Sequence, residues 1–340
     1  MVSLKDVWFS YSKPVLRGVS LEVDRTFICG YNGSGKTTLL KIASGLLKPE
    51  RGIVEGRATY VHQNVDDYIL FSNVKNELLI QAIQCGKDFD EALRIARKLG
   101  ITHILERETS KLSDGEKRLL TIATALLKDD CLALDEPFAN LHPKVAEKVL
   151  RVLKEPFIIA EHRISLFDDF LWLENGRICD PPDFHFELPK GEIGEVVLRV
   201  EGLCFGYDDL LLKDVTFEAM RGEILAIVGM NGCGKTTLIK LLAGILKPWS
   251  GEISVKGRIG LCLSNPYYHV QEPISFGEAK IKALERTFKA DILLWDEPTA
   301  GLDITRKFQI LKRARELNKT VIMATHDEDI LRFCDHVVEI

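Results

Sequence analysis

Gly30-Tyr31-Asn32-Gly33-Ser34-Gly35-Lys36-Thr37-Thr38 follows the spacing Gly, four residues, Gly-Lys-Thr. It comes after the short apolar run Phe27-Ile28-Cys29 and opens an apolar-periodic stretch through Leu39, Leu40, Ile42 and Ala43. Strand, glycine-rich turn and helix in that order make the context of a phosphate-binding loop. The glycines allow backbone N–H groups to converge on a phosphate with no Cβ in the way. Lys36 is placed to reach the outer phosphates of a nucleotide, and the Thr37 hydroxyl to ligate Mg2+. The helix N-terminus adds the positive end of its dipole.

The same stretch recurs at Gly229-Met230-Asn231-Gly232-Cys233-Gly234-Lys235-Thr236-Thr237, after the apolar run Ile224-Leu225-Ala226-Ile227-Val228. The repeat extends outward from both loops. Val7-Trp8-Phe9-Ser10-Tyr11 matches Leu203-Cys204-Phe205-Gly206-Tyr207, and Leu46-Leu47-Lys48-Pro49 matches Ile245-Leu246-Lys247-Pro248. Tyr11 to Lys36 is 25 residues and Tyr207 to Lys235 is 28, so the first copy is three residues shorter, around Asp24-Arg25-Thr26. Pro181-Pro182 and Pro189-Lys190-Gly191 read as a linker. The expected layout is a first domain over 1–180, a linker over 181–195 and a second domain over 196–340, with the halves meeting near residue 192.

Composition is that of an ordinary globular chain: 340 residues, 46% apolar, 28% charged, net charge −5. No Lys/Arg block stands out, which argues against a partner held through nucleic-acid phosphates. The eight cysteines form no Cys-x-x-Cys pair, so neither a zinc or iron–sulfur framework nor a disulfide framework is expected. No run approaches the length of a membrane span, and Met1-Val2-Ser3-Leu4-Lys5-Asp6 lacks a signal-peptide core.

In each half, short apolar runs alternate with helical patterns. Cys131–Leu134, Phe157–Ala160, Ile292–Trp295 and Val321–Ala324 suit buried parallel strands, which implies an α/β fold with phosphates at the strands' carboxyl ends. Asp135-Glu136-Pro137 and Asp296-Glu297-Pro298 each follow such a run. There the Asp can hold Mg2+ through water and the Glu can activate an attacking water, so Glu136 and Glu297 are candidate general bases. His162 and His326 stand 27 and 30 residues after their Asp and fit γ-phosphate sensors.

Leu112-Ser113-Asp114-Gly115-Glu116 resembles the signature motif, Leu-Ser-Gly-Gly-Gln/Glu, of ATP-binding-cassette (ABC) ATPases. The resemblance covers almost the whole chain. It implies two tandem P-loop ABC ATPase domains, binding ATP and Mg2+ and hydrolysing ATP. It makes Tyr11 and Tyr207 adenine-stacking aromatics, and places ATP on Gly30, Asn32, Gly33, Ser34, Gly35, Lys36, Thr37 and Thr38. The second nucleotide falls on Gly229, Asn231, Gly232, Cys233, Gly234, Lys235, Thr236 and Thr237. Thr37, Gln63 and Asp135 become metal ligands at the first site, and Thr236 and Asp296 at the second. In the family's head-to-tail pairing, Ser275, Gly277 and Glu278 would face the first ATP and Ser113, Gly115 and Glu116 the second.

Several positions depart from that pattern. Asp114 and Phe276 replace the first signature glycine, Ser264 stands where a Q-loop Gln is expected, and His142 stands where a D-loop Asp is expected. Gln63 to Ser113 spans 50 residues but Ser264 to Ser275 only 11, so the second half lacks most of the helical subdomain. In the first half that interval holds the helical patterns Val74-Leu78-Leu79-Ala82 and Ala92-Leu93-Ala96-Leu99. Gln63-Asn64-Val65-Asp66-Asp67 with Leu70-Phe71-Ser72 resembles the Q-loop region of energy-coupling-factor and cobalt-type importers, which take vitamins or metal ions.

The expected role is therefore the ATPase subunit of a transporter, peripheral on the cytoplasmic face of the membrane. Its integral membrane partners would dock mainly on the first domain, around Leu78 and Phe71, and much less on Tyr267 and Tyr268. The two domains would pair within one monomeric chain, and no nucleic acid is expected. The alternative is a soluble tandem ATPase acting on ribosomes or nucleic acid. Against it stand the short linker and the missing cysteine-rich segment of the iron–sulfur recycling factor.

Overall fold

The computed structural model describes residues 2–63, 65, 68–139, 141–184, 186–230, 232–270, 272 and 274–340. Asn64, Asp66 and Asp67 of the Q-loop stretch, and Asn231 of the second phosphate-binding loop, lie outside the described residues. The chain forms two compact units, Met1–Asp183 and Phe184–Ile340.

The first unit begins with β1 (Val2–Ser10), β2 (Pro14–Val23), β3 (Arg25–Cys29), α1 (Lys36–Ala43), β4 (Arg51–Glu55) and β5 (Ala58–Val61). Three helices follow: α2 (Val74–Gln84), α3 (Phe89–Leu99) and α4 (Asp114–Ala125). It ends with β6 (Cys131–Asp135), α5 (Pro143–Val152), β7 (Phe157–Ala160), β8 (Leu171–Glu174) and β9 (Arg177–Cys179). An antiparallel sheet of order β2-β1-β4 faces a larger sheet of order β5-β6-β7-β3-β8-β9, whose first five strands pair in parallel. β6 and β7 are buried at every residue, as expected of central parallel strands covered on both faces. Leu39, Leu40 and Ile42 of α1 join Val2, Leu4, Val7, Ile28, Ala133 and Ile158 in one core.

The helical insertion is held by local signals. Asn73 caps α2, Asp88 caps α3, and Gly100 closes α3 in the left-handed region, φ 81°. Ser113 and Glu116 form a reciprocal capping box at the start of α4. The strip before α2 is fastened to the insertion. The buried Glu77 carboxylate accepts the amides of Leu70 (2.8 Å) and Phe71 (2.9 Å) through Oε2. Thr109 donates its hydroxyl to the Phe71 carbonyl and its amide to the Ser72 carbonyl.

Leu78 needs a correction. The sequence pattern puts it on a partner-facing surface, yet it is 0% exposed. The helical period alone gives one apolar stripe, and here that stripe faces inward. The exposed apolar side chains of this region are Leu70, 70% exposed, and Ile83, 60% exposed.

The second unit repeats the design with β10 (Val196–Gly206), β11 (Leu210–Met220), β12 (Ile224–Val228), α6 (Lys235–Leu242), β13 (Ser250–Val255) and β14 (Ile259–Cys262). It continues with α7 (Phe276–Thr287), β15 (Ile292–Asp296), α8 (Ile304–Glu316), β16 (Thr320–Ala324), α9 (Glu328–Leu331) and β17 (His336–Glu339). Its sheets run β11-β10-β13 and β14-β15-β16-β12-β17. Between β14 and α7, where the first unit has α2 and α3, the described residues form one 3-10 turn, Pro266–Tyr268. The segment after residue 183 packs onto this unit. Phe186 lies 4.7 Å from Phe308, Leu188 joins the apolar cluster of Trp295 and Leu311, and Gly191 abuts Arg315.

Candidate functional site

In each unit the loop after the strand leading into the Gly-rich turn meets the ends of two neighbouring strands. In the first, Ile28 of β3 is level with Ala160 of β7, and Ala160 is level with Asp135 of β6. Gly30–Thr38, Asp135-Glu136 and His162 thus gather at the carboxyl edge of the sheet, where α/β folds bind ligands. The second unit sets Ile227 against Ala324 and Ala324 against Asp296 in the same way.

The Gly-rich turns need their glycines. A Cβ on Gly30 would stand 2.2 Å from the Leu173 carbonyl oxygen, and one on Gly229 would stand 2.4 Å from that of Ile340. Lys36 Nζ donates to the carbonyls of Gly30 (2.8 Å) and Tyr31 (3.0 Å), and Lys235 Nζ to those of Gly229 and Met230 (both 3.0 Å). Two further observations fit a phosphate at the first loop. Among the described residues, nothing stands where a side chain on Gly33 would be, and the buried Ser34 Oγ has no hydrogen-bond partner. Cys233, in the corresponding place, lies 3.8 Å from Lys235 Nζ. Tyr11 and Tyr207 project into solvent, each edge-on to a phenylalanine, Phe9 at 4.9 Å and Phe205 at 5.3 Å.

The carboxylates differ sharply between units. Glu136 is held on both oxygens: Gln63 Nε2 donates to Oε2 at 2.7 Å, and His162 Nε2 lies 2.8 Å from Oε1. Burial alone would raise its pKa, but His162, Lys36 and Arg118 hold it below the ordinary glutamate value. Glu297 has His326 Nε2 at 3.8 Å, and its Gln63 counterpart, Ser264, hydrogen-bonds Asp296 instead. Burial and then Asp296 push Glu297 up to about 8, against the pull of Lys235 and Lys280. Both glutamates adopt left-handed backbone, φ 48° for Glu136 and 44° for Glu297. Such strain in a non-glycine residue concentrates at functional sites.

Asp135 accepts from Tyr60 Oη at 2.8 Å and from the Thr37 hydroxyl. Thr236 Oγ1 donates to the Asp296 carboxylate, 2.9 and 3.0 Å from its two oxygens. Burial raises both aspartates. Among the described residues no three His, Cys, Asp or Glu side chains cluster as a metal cage. A hydroxyl beside one carboxylate suits a hard cation whose other ligands are phosphate and water oxygens.

The signature residues open helices in both units. Ser113 Oγ is 2.9 Å from Glu116 Oε2, and Ser275 Oγ 2.7 Å from Glu278 Oε2, both as capping boxes. Gly115 and Gly277 are buried, and Asp114 is exposed. The half-buried Phe276 ring lies 6.1 Å from Tyr267 and so close to Gly301 that a Cβ there would stand 2.8 Å from it. His142 caps α5 through Nδ1, accepting from Lys144 N, in the role that Asp303 plays for α8.

Two residues escaped the reading of the sequence. Tyr60 lies mid-strand with no motif around it. Arg118 lies on α4, and its link to Gln63 crosses 55 residues of chain.

Two phosphate-binding loops, each facing an Asp-Glu pair and a histidine and each matched by a serine-capped helix, define a P-loop ATPase of the cassette type. The family model described as "ABC transporter" matches residues 16–139 and 212–260, just over half of the chain, and the chain belongs to that family. It is an ABC ATPase with two cassettes in tandem.

The chain is 26% identical to a putative ABC transporter ATP-binding protein of Methanosarcina mazei, covering 99% of this chain and 92% of that one. It is 25% identical to a protein of the same description from Treponema denticola, covering 99% and 95%. The Methanosarcina alignment runs over 458 positions, so that relative carries internal segments which this chain lacks. Among solved structures, a chain of a ribosome-bound archaeal Pelota–ABCE1 complex superposes with TM-score 0.78 at 23% identity, covering 95% of this chain and 74% of that one. An RNase-L inhibitor gives TM-score 0.71 at 21% identity, covering 95% and 85%. At that identity the likeness is one of fold.

Proposed function

We propose that the chain is the ATP-hydrolysing subunit of a membrane transporter and that its first cassette carries most of the hydrolysis. The observation behind the second clause is the clamp on Glu136, held by Gln63 and His162 on separate oxygens, which Glu297 lacks. An ionised, oriented carboxylate can accept a proton from the water that attacks the γ-phosphorus, with ADP leaving in line. Lys36 and the loop amides carry the phosphate charge, and His162 can donate to a γ-phosphate oxygen. Thr37 and Asp135, with Gln63 from the neighbouring loop, would hold Mg2+, which would supply positive charge against the phosphates.

The transport reading is supported by the descriptions of relatives aligned over nearly the whole chain. It is also supported by the helical insertion of the first cassette, whose exposed Leu70 and Ile83 offer a membrane subunit apolar surface. No helix among the described residues is long and apolar enough to cross a membrane. The Q-loop stretch favours an importer of vitamins or metal ions. The tandem fold shared with ribosome-bound ABCE1 keeps a ribosomal role as the second reading. Fractionation of cells expressing the tagged chain separates the two. Detergent-extractable association with integral membrane proteins is expected; co-sedimentation with ribosomes that survives high salt would overturn the transport reading.

A further inference from the structure

Arg118 stands on the second turn of α4, five residues after Ser113, and is buried. Its Nη1 donates to the main-chain carbonyl of Gln63 at 2.7 Å. The side chain of that same Gln63 donates to Glu136 Oε2 at 2.7 Å. Among the described residues the Arg118 Nε is buried without a partner. Burying a guanidinium is costly, and a packing role on this face would be met at less cost by Leu or Met. What the guanidinium supplies is a fixed donor for one carbonyl.

The second cassette holds a natural comparison. Lys280 stands five residues after Ser275 on α7, is 0% exposed, and donates to the Ser264 carbonyl at 2.6 Å. Ser264 is the counterpart of Gln63. The bond from a buried cation to this carbonyl is therefore built twice, once with Arg and once with Lys. Only in the first cassette does the clamped residue carry a side chain long enough to reach the glutamate. We infer that Arg118 is a positioning residue for ATP hydrolysis: by fixing the main chain of Gln63 it sets the Gln63 amide against Glu136. The inference rests on the reading of Glu136 as the general base.

The test uses the full chain and steady-state phosphate release. Arg118→Met is expected to lower kcat about tenfold, the scale of a misplaced catalytic contact, with KM for ATP within about twofold of wild type. Arg118→Lys should recover most of the loss, because Lys280 spans the same gap. In a Gln63→Ala background, Arg118→Met should cost less than about twofold more, since its effect passes through that side chain. A rise in KM at constant kcat, equal losses in the Lys and Met variants, or fully multiplying losses in the double variant would each overturn the inference. Melting temperature and binding of a fluorescent ATP analogue check that each variant is folded. If Arg118→Met does not fold, Arg118→Gln replaces it in the same comparison. Glu136→Gln separates the two ideas: if it leaves turnover intact, the general-base reading has failed, whatever Arg118 does.

Discussion

The two cassettes share a sheet order, a Gly-rich turn and a left-handed glutamate, yet they surround that glutamate differently. Around Glu136 the polar groups point at the carboxylate; around Glu297 they point at its neighbour. Ser264 cannot span the distance that Gln63 spans, so its hydroxyl and amide settle on Asp296. His326 stops 3.8 Å from Glu297, where His162 comes within 2.8 Å of Glu136. One side chain shortened at one loop thus leaves the strands in place and removes the ion-holding environment. On the proposed asymmetry, catalytic competence and fold would be separable here, the first resting on a few long polar side chains and the second on strands buried throughout.

The largest expected difference is in turnover. Glu136→Gln should lower kcat by about two to four orders of magnitude, the range for losing a general base, while Glu297→Gln changes it less than about threefold. Phosphate release measures both, and equal losses would erase the asymmetry. The next contrast compares the helical insertion with the short turn that replaces it. Leu78→Asp buries a carboxylate among apolar neighbours and should cost about 3 kcal/mol or more, melting the insertion, whereas Leu70→Asp should leave it folded. Urea titration followed by limited proteolysis distinguishes them. A third contrast is smaller: His162→Ala should lower kcat about tenfold and His326→Ala about twofold, read in the same phosphate assay.

The smallest effect concerns stability. Glu297 is raised in the fold to about 8 from 4.5. A raised carboxyl binds a proton in the native state that the unfolded chain has released, so its contribution is greatest below pH 4.5 and declines up to pH 8. Glu297→Gln, neutral at every pH, should therefore raise the melting temperature by a few degrees at pH 8 and hardly at all at pH 5, in Mg2+- and nucleotide-free protein. Glu136→Gln should not, since its carboxylate is already stabilised as the ion. A gain of the same size at both pH values would count against a protonated Glu297.

Much of this was legible in the sequence because it is local. A Gly-rich turn, an Asp-Glu after an apolar run and a Ser-x-x-Glu before a helix each declare themselves within ten residues. The missing helices of the second cassette could be read from the distance between motifs. What was not legible depends on groups far apart in the chain. Tyr60 reaches Asp135 across 75 residues and Arg118 reaches Gln63 across 55. Leu78 was misplaced because an amphipathic period marks a face without saying what covers it. The close of the first unit at Asp183, ahead of the expected linker's end, follows from Phe186 and Leu188 finding Phe308 and the Trp295 cluster, a contact that Pro-rich composition does not announce.

The fastening of residues 70–72 has a mechanical consequence. Glu77 grips two successive amides on one side, and Thr109 grips two successive carbonyls on the other. A strip riveted along both edges does not stretch when one end is pulled. Force applied at the exposed Leu70 is carried into the first turn of α2 and into the segment leading to α4, so the insertion shifts as one stiff piece. In the second cassette the Pro266–Tyr268 turn is fastened elsewhere, by Tyr267 Oη to the Ile274 carbonyl and by Arg286 of α7 to the His269 carbonyl, so a pull there passes straight to the start and the last turn of α7.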